Sequence, residues 1–332
     1  MKNKYILLTP IFALSLSACS LTGVQHDISE YVLSTNYKDN YRILQLTDIH
    51  LSDKDNQDLH FKFMDLTIAD AHPDMIIVTG DLFTLASQST AKRLFSYLDS
   101  KNVPWTVTFG NHDEQCFFSI DWLTGYLNGL TESGTSKCLF KDIQDDGVHG
   151  NANFAINLMQ GNEIFEQLII MDSNRYNYGG YFGYDYFKDD QIKWYEDLVD
   201  YTTTKNGHLT ESLMFYHIPL PEINDAWDKA NDNSGGATLE YGEKREKTCP
   251  PDENSGFFDK IVAKGSTKAM FFGHDHINDF RVKYNGVVFS YGIKATDRIY
   301  YDDDMTGGQV IILKNDHTLS YEQIRHTYKE VK

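Results

Sequence analysis

The chain has 332 residues, 41% of them hydrophobic and 14% aromatic, enough apolar material for one large α/β domain and too much for a disordered chain. Its formal charge of -18 argues against an electrostatic binder of nucleic acid or of anionic membrane surfaces. No internal repeat, low-complexity run or interdomain linker breaks the sequence, so a single domain is the economical reading.

The chain opens on what reads as an address. Lys2 and Lys4 precede an apolar run over residues 5–16, and Leu16-Ser17-Ala18-Cys19 follows. The run is short for a transmembrane helix and has the flanks of a secretory signal. Leu-Ser-Ala-Cys at that place resembles a bacterial lipobox. That implies a signal peptide over residues 1–18, acylation of Cys19 and a membrane lipoprotein on the periplasmic side or the cell surface. Residues 19–40 are polar without period and read as a tether. Of the remaining cysteines, Cys116, Cys138 and Cys249, one pair could bridge in an oxidising compartment, and their spacing matches no zinc-site pattern.

Residues 41–47 have a strand pattern that ends at Asp48-Ile49-His50. Residues 58–71 follow with Leu59, Phe63 and Leu66 at helical spacing, closed by His72-Pro73. The run Met75-Ile76-Ile77-Val78-Thr79 is a buried-strand pattern ending in Gly80-Asp81, where the glycine allows a sharp turn. Asp81 has two carboxylate oxygens and could therefore bridge two cations. A helix over 90–100 puts Leu94, Tyr97 and Leu98 on one face, with Thr90 as its N-cap. A strand over 103–109 then ends at Gly110-Asn111-His112-Asp113. Strand, helix, strand, helix, strand at this spacing predicts parallel units with right-handed crossovers.

Beyond His112 the periodicity loosens. Strands are expected over 153–158 and 167–171, an ordered tyrosine- and glycine-rich loop over 174–186, and a helix over 189–201 with Ile192, Tyr195, Leu198 and Val199 inward. A strand over 212–216 ends at His217. Residues 223–255 are long, polar and aperiodic, and are expected to form a lid. The strand 269–272 ends at Gly273-His274-Asp275-His276, and strands over 287–291, 309–313 and 319–325 complete the chain.

Five strand ends thus carry Asp48 and His50, Asp81, Asn111 and His112, His217, and His274 and His276. In open α/β sheets, ligands bind beyond the carboxyl ends of strands, so these tips can meet in one crevice. Any one motif occurs by chance, but five in this order do not. Imidazole, carboxylate and amide oxygen suit zinc, iron or manganese.

Asp48-x-His50, Gly80-Asp81, Gly110-Asn111-His112-Asp113, His217 and Gly273-His274-x-His276 together resemble the motif set of calcineurin-like metallophosphoesterases. His217-Ile218-Pro219-Leu220-Pro221-Glu222 and Gly273-His274-Asp275-His276-Ile277-Asn278-Asp279 further resemble a branch related to purple acid phosphatases. The resemblance implies a metallophosphoesterase-type layered α/β sandwich over 41–328, two mixed β-sheets flanked by helices. It implies two divalent metal ions, the first held by Asp48, His50, Asp81 and His276 and the second by Asp81, Asn111, His217 and His274. The implied reaction is hydrolysis of a small phosphate ester, a monoester ahead of a diester, by a metal-bound hydroxide, with His112 assisting the leaving group. Asp113 either orients His112 or caps a turn, and Asp275 supports the ligands beside it. Purple acid phosphatases proper have tyrosine where this chain has Thr84 and lack a histidine at the place of His50, so no Fe(III)–tyrosinate colour is expected.

Arg175, Lys294 and Arg298 read as solvated cations rather than phosphate ligands, and Tyr176, Tyr178, Tyr181 and Tyr184 as a packed loop rather than a nucleobase platform. Two other readings stay open: a catalytically silent metal- or ligand-binding surface lipoprotein on the same fold, or a nucleotide phosphodiesterase. A polymeric nucleic acid substrate is disfavoured by the charge.

Overall fold

The computed structural model describes residues 26–179 and 183–331. The expected signal peptide, Cys19 and Tyr181 lie outside the described residues. A 3-10 turn, Ile28–Tyr31, leads into β1 (Val32–Asn36). Next come β2 (Tyr41–Leu46), α1 (Gln57–Ala71), β3 (Met75–Thr79), α2 (Gln88–Asp99) and β4 (Trp105–Thr108), the three strands paired in parallel. After α3 (Ile120–Glu132) the chain forms β5 (Phe154–Gln160), β6 (Glu163–Ile170) and a small hairpin of β7 (Tyr176–Asn177) and β8 (Gly183–Tyr184). It continues through α4 (Asp189–Asn206), β9 (Ser212–Phe215), α5 (Glu222–Asn231), β10 (Ala237–Tyr241), α6 (Phe257–Lys264) and β11 (Thr267–Phe272). The last strands are β12 (Arg281–Tyr284), β13 (Val287–Tyr291), β14 (Gly307–Leu313) and β15 (Leu319–Arg325).

Two mixed sheets result, in the orders β15-β14-β2-β3-β4 and β1-β5-β6-β9-β11-β13-β12-β10. The alternation of side chains shows how they stack. On β9 and β11, Leu213, Phe215, Ala269 and Phe271 join the apolar cluster that holds Ile43, Ile77 and Val107 of the smaller sheet. Their neighbours Met214, Tyr216, Met270 and Phe272 face the other way, into a second cluster with Tyr195 and Leu198 of α4 and Phe257 and Ile261 of α6. Strands covered on both faces read as continuous apolar runs, and all five residues of β3 are buried. The layered sandwich implied by the motif resemblance is therefore the observed fold.

Four expectations need correction. The tether cannot extend through residue 36, because β1 pairs in parallel with β5 and Tyr31 is buried edge-on against Trp194, ring centroids 5.8 Å apart. As a half-exposed edge strand, β1 has no apolar period to betray it. The expected lid over 223–255 is substantially structured. Helix α5 buries Ile223, Ala226 and Ala230, and β10 pairs with β12 at the sheet edge, its polar residues facing solvent. Helix α3 was hidden because Gly125 and Gly129 dilute its pattern, although Ser119 caps it by accepting from the Trp122 amide at 3.1 Å. Ser87 rather than Thr90 precedes α2, and the Thr90 hydroxyl donates to Asp53 at 2.7 Å instead.

Cys116, Cys138 and Cys249 are all free thiols, so the bridge does not form. Among the described residues, no helix is long and apolar enough to cross a membrane.

The N-terminal turn offers a direct check. Tyr31 is 4% exposed and its hydroxyl donates to Asp146 at 2.8 Å. Tyr31→Ala is expected to cost about 3 kcal/mol in denaturant unfolding. A residue on a free tether would change stability by less than about 0.5 kcal/mol.

Candidate metal centre

Each motif residue stands just past the carboxyl end of a strand: Asp48 and His50 after β2, Asp81 after β3, Asn111 after β4, His217 after β9, and His274 and His276 after β11. The turns that aim these side chains inward are strained. Asp48, His50, Asp81 and His274 have φ of 54°, 49°, 47° and 79°, the left-handed region that non-glycine residues seldom occupy. Such conformations cost about 1–3 kcal/mol each and persist where the surroundings enforce them, typically at functional sites. Two glycines make the approach possible. Gly80 has φ +82°, and a Cβ there would stand 2.6 Å from the His217 ring. A Cβ on Gly273 would lie 1.9 Å from Thr47 Oγ1 and 2.6 Å from Asp48 Oδ2.

The side chains form two adjoining groups. Donor atoms of Asp48, His50, Asp81 and His276 lie within 4.8 Å of one another, as do those of Asp81, His217 and His274. Asp81 belongs to both. In the first group His50 Nε2 and His276 Nε2 are 3.0 Å apart, and Asp81 Oδ2 is 3.5 Å from His50 Nε2. In the second, His217 Nε2 stands 3.3 Å from the same carboxylate oxygen. These residues are nearly inaccessible, from 0% exposed for His50 and His217 to 7% for His274.

Oxygen atoms behind the imidazoles set their orientation. His50 Nδ1 meets Thr84 Oγ1 at 2.9 Å, His217 Nδ1 meets the Thr79 carbonyl at 2.8 Å, and His276 Nδ1 meets the Tyr300 carbonyl at 2.9 Å. With a proton on each Nδ1, the Nε2 lone pairs are left facing the centre.

The electrostatics call for positive charge at Asp81. Burial opposes ionisation of Asp81, yet the imidazoles of His217 and His50 hold its carboxyl well below the usual range. Burial likewise opposes a charge on His217, but Asp81 carries that imidazole up to about 10. His50 is pushed well below the usual imidazole range and His274 down to about 3, burial being the main cause in both.

The donor set fits two divalent ions. His217 Nε2 and His274 Nε2, grouped with Asp81, and Asn111 Oδ1 are buried with no hydrogen-bond partner among the described residues. Buried polar atoms without partners are costly unless something fills the gap, and two of these three adjoin one carboxylate. Imidazole, carboxylate and amide oxygen are the donors a borderline divalent ion takes. Asp48, His50, Asp81 and His276 would hold one ion, and Asp81, Asn111, His217 and His274 the other.

Other residues come out differently from their sequence reading. Asp113 is fully buried, and its two oxygens accept from the Phe83 amide at 2.9 Å and the Gly110 amide at 2.8 Å. It shapes the turn that presents Asn111; His112 Nδ1 meets Gln115 Oε1 at 2.9 Å instead. That contact argues against a catalytic role for Asp113. Asp275 accepts from the Tyr291 hydroxyl and from the Cys249 amide, tying the 242–256 segment down beside His274 and His276.

Lys294 is no solvated cation. It is 1% exposed, and its ammonium donates to the Asp48 carbonyl at 2.7 Å. Burial pushes its pKa down to about 7. Arg175 and Arg298 are paired with Asp172 at 3.2 Å and Asp55 at 2.9 Å. Thr84, Gln115 and Tyr176 touch ligands or His112 and carried no sequence signal, except that Thr84 marked a departure from the purple acid phosphatase pattern.

Comparison with known proteins gives a consistent picture. A model of the calcineurin-like phosphoesterase family matches residues 41–278. The chain is 28% identical over 323 residues to the "Probable inactive purple acid phosphatase 14" of Arabidopsis thaliana, covering 86% of this chain and 77% of that one. It is 24% identical over 264 residues to "Phosphatase DCR2" of Saccharomyces cerevisiae, covering 72% of this chain and 44% of that one. A dimetal phosphatase structure from Danio rerio superposes with a TM-score of 0.53 at 12% identity, covering 83% of this chain and 96% of that one, a likeness of fold.

The shared carboxylate predicts unequal losses. The wild-type chain is expected to retain two divalent ions after desalting, His217→Ala one and Asp81→Ala fewer than one, counted by elemental analysis against protein concentration. Equal losses in the two variants would contradict a shared ligand.

Proposed function

We propose that this chain, which belongs to the calcineurin-like phosphoesterase family and is a metal-dependent phosphoesterase, hydrolyses a small phosphate ester, with a monoester as the preferred substrate. One observation carries the reading: two buried donor groups share Asp81, and His112 stands at their edge without belonging to either. Two divalent ions there, zinc, iron or manganese, would neutralise the phosphoryl oxygens and acidify a water for in-line attack.

The chain itself positions His112. Its backbone amide donates to Asp81 Oδ1 at 2.8 Å, locking the residue to the shared carboxylate. Its ring lies 4.9 Å from that of His50 and, unlike the ligand imidazoles, is partly exposed. With Nδ1–H donating to Gln115 Oε1 at 2.9 Å, Nε2 is left free, and in the imidazolium form, with both nitrogens protonated, it passes its proton to the departing oxygen, leaving the neutral ring. Storage of ions would need no such group.

A cavity of about 390 Å³ adjoins the centre through Tyr184, although neither His112 nor a proposed metal ligand lines it. Tyr184, Pro221, Asn224, Lys247 and Thr248 line it, and the Tyr184 ring packs edge-on against that of His274 at 4.3 Å. Its size is in the small-molecule range of roughly 300–1,000 Å³. A polymeric nucleic acid is opposed by the charge of -18. The word "inactive" in the name of the Arabidopsis relative favours a second reading, a silent ion-binding protein on this fold. Export and anchoring through Cys19 belong to the proposal and rest on Leu16-Ser17-Ala18-Cys19 alone.

Two measurements test this. His112→Ala should lower kcat on an alkyl phosphate, whose leaving oxygen needs a proton, by about 10²-fold or more while two ions remain bound. A metal-loaded wild-type chain inert across a panel of phosphate mono- and diesters would favour the silent reading. Cys19→Ala should move the protein from the membrane to the soluble fraction; unchanged fractionation would remove the anchor from the proposal.

A further inference from the structure

Asn111 and His112 are adjacent in sequence, but what sets their side chains comes from a distant part of the chain. The Asn111 amide nitrogen Nδ2 donates to the Tyr176 hydroxyl at 2.7 Å, and its Oδ1 is buried with no hydrogen-bond partner among the described residues, as a ligand oxygen awaiting a cation would be. The Gln115 amide nitrogen Nε2 donates to the same hydroxyl at 3.3 Å. Gln115 Oε1 in turn accepts from His112 Nδ1 at 2.9 Å. A continuous chain of hydrogen bonds therefore runs from Asn111 through Tyr176 and Gln115 to His112. Tyr176 is itself braced, since its ring stacks on Tyr184 with centroids 5.7 Å apart, and Tyr184 packs against His274.

We propose that Tyr176 is a positioning residue that holds Asn111 in its ligating orientation and, through Gln115, holds the His112 ring with Nδ1 engaged and Nε2 free to face the leaving group. The inference rests on Asn111 and His112 having the roles given above. A carboxamide presents an oxygen or an NH₂ group depending on a half-turn of its terminal bond, and only the oxygen can bind a cation. Without a partner for Nδ2, both orientations become accessible. Gln115 faces the same choice: with Nε2 engaged by the tyrosine hydroxyl, Oε1 points at His112. One hydroxyl thereby orients two carboxamides, and through them one ligand and one proton carrier.

The two branches can be separated. Tyr176→Phe removes the hydroxyl and keeps the ring packing. It is expected to weaken binding of the second manganese or zinc ion about 10- to 100-fold by calorimetric titration, with the first unaffected, because partners behind metal ligands typically carry that much. Gln115→Ala cuts only the His112 branch. It should leave both ion affinities within about twofold, lower kcat on an ester with a poor leaving group by about tenfold, and spare an activated aryl ester. Tyr178→Phe is the control, because its hydroxyl bonds Glu114 at the exposed rim of the same hairpin. It should leave affinities and rates unchanged.

Wild-type ion binding in Tyr176→Phe overturns the proposal. So does a Gln115→Ala variant that loses the second ion, or an effect in Tyr178→Phe as large as in Tyr176→Phe. A wild-type chain that binds fewer than two ions fails at an earlier step, since it removes the two-ion centre itself. Ion binding is read without turnover, so it stays informative whatever ester the protein acts on.

Discussion

The rest of the structure answers to one buried carboxylate. Asp81 is 1% exposed, and its oxygens lie within contact of His50 and His217 and accept from the His112 amide. An isolated charge in that position would be prohibitively costly, so the carboxylate is tolerated only in the company of cations and donors. His50, His217, His274 and His276 surround it, Lys294 lies behind Asp48, and the geometry fits two further positive centres. Strain at Asp48, His50, Asp81 and His274 is what the backbone accepts in order to bring these groups together.

The two-sheet fold suits that requirement. Parallel strands β2, β3 and β4 in one sheet and β9 and β11 in the other end close together, so turns from both sheets meet at one rim. The apolar faces between the sheets immobilise the strands, and the turns inherit their precision. Behind the imidazoles, Thr84, the Thr79 carbonyl and the Tyr300 carbonyl fix which nitrogen faces inward. In purple acid phosphatases proper the position of Thr84 is a tyrosine. Here a short hydroxyl meets His50 Nδ1 instead.

Segments brought in later in the chain complete the centre. The hairpin of β7 and β8 delivers Tyr176 to Asn111 and Tyr184 to His274, while 242–256 is pinned through Asp275, Asn278 and Asp279. These contacts are polar and between residues far apart in sequence. That is why residues 242–256 carry no apolar period: the segment is held by its backbone amides.

From the sequence alone one could read the family, the layered fold, the buried strands in chain order, and the carboxylates and imidazoles that the structure groups at Asp81. Those features are local: a strand covered on both faces must be apolar along its length, and a metal ligand must be a particular chemical type just past the strand end. The edge strands β1 and β10 and the glycine-diluted α3 escaped, because half-exposed or interrupted elements have no pattern. Only the tertiary structure decided that Asp113 holds two backbone amides while Gln115 meets His112, that Lys294 is buried, and that Tyr176 reaches Asn111. Each of these depends on which polar atom lies within about 3 Å of which other, and residue type and spacing along a chain do not determine a hydrogen-bond partner 65 positions away.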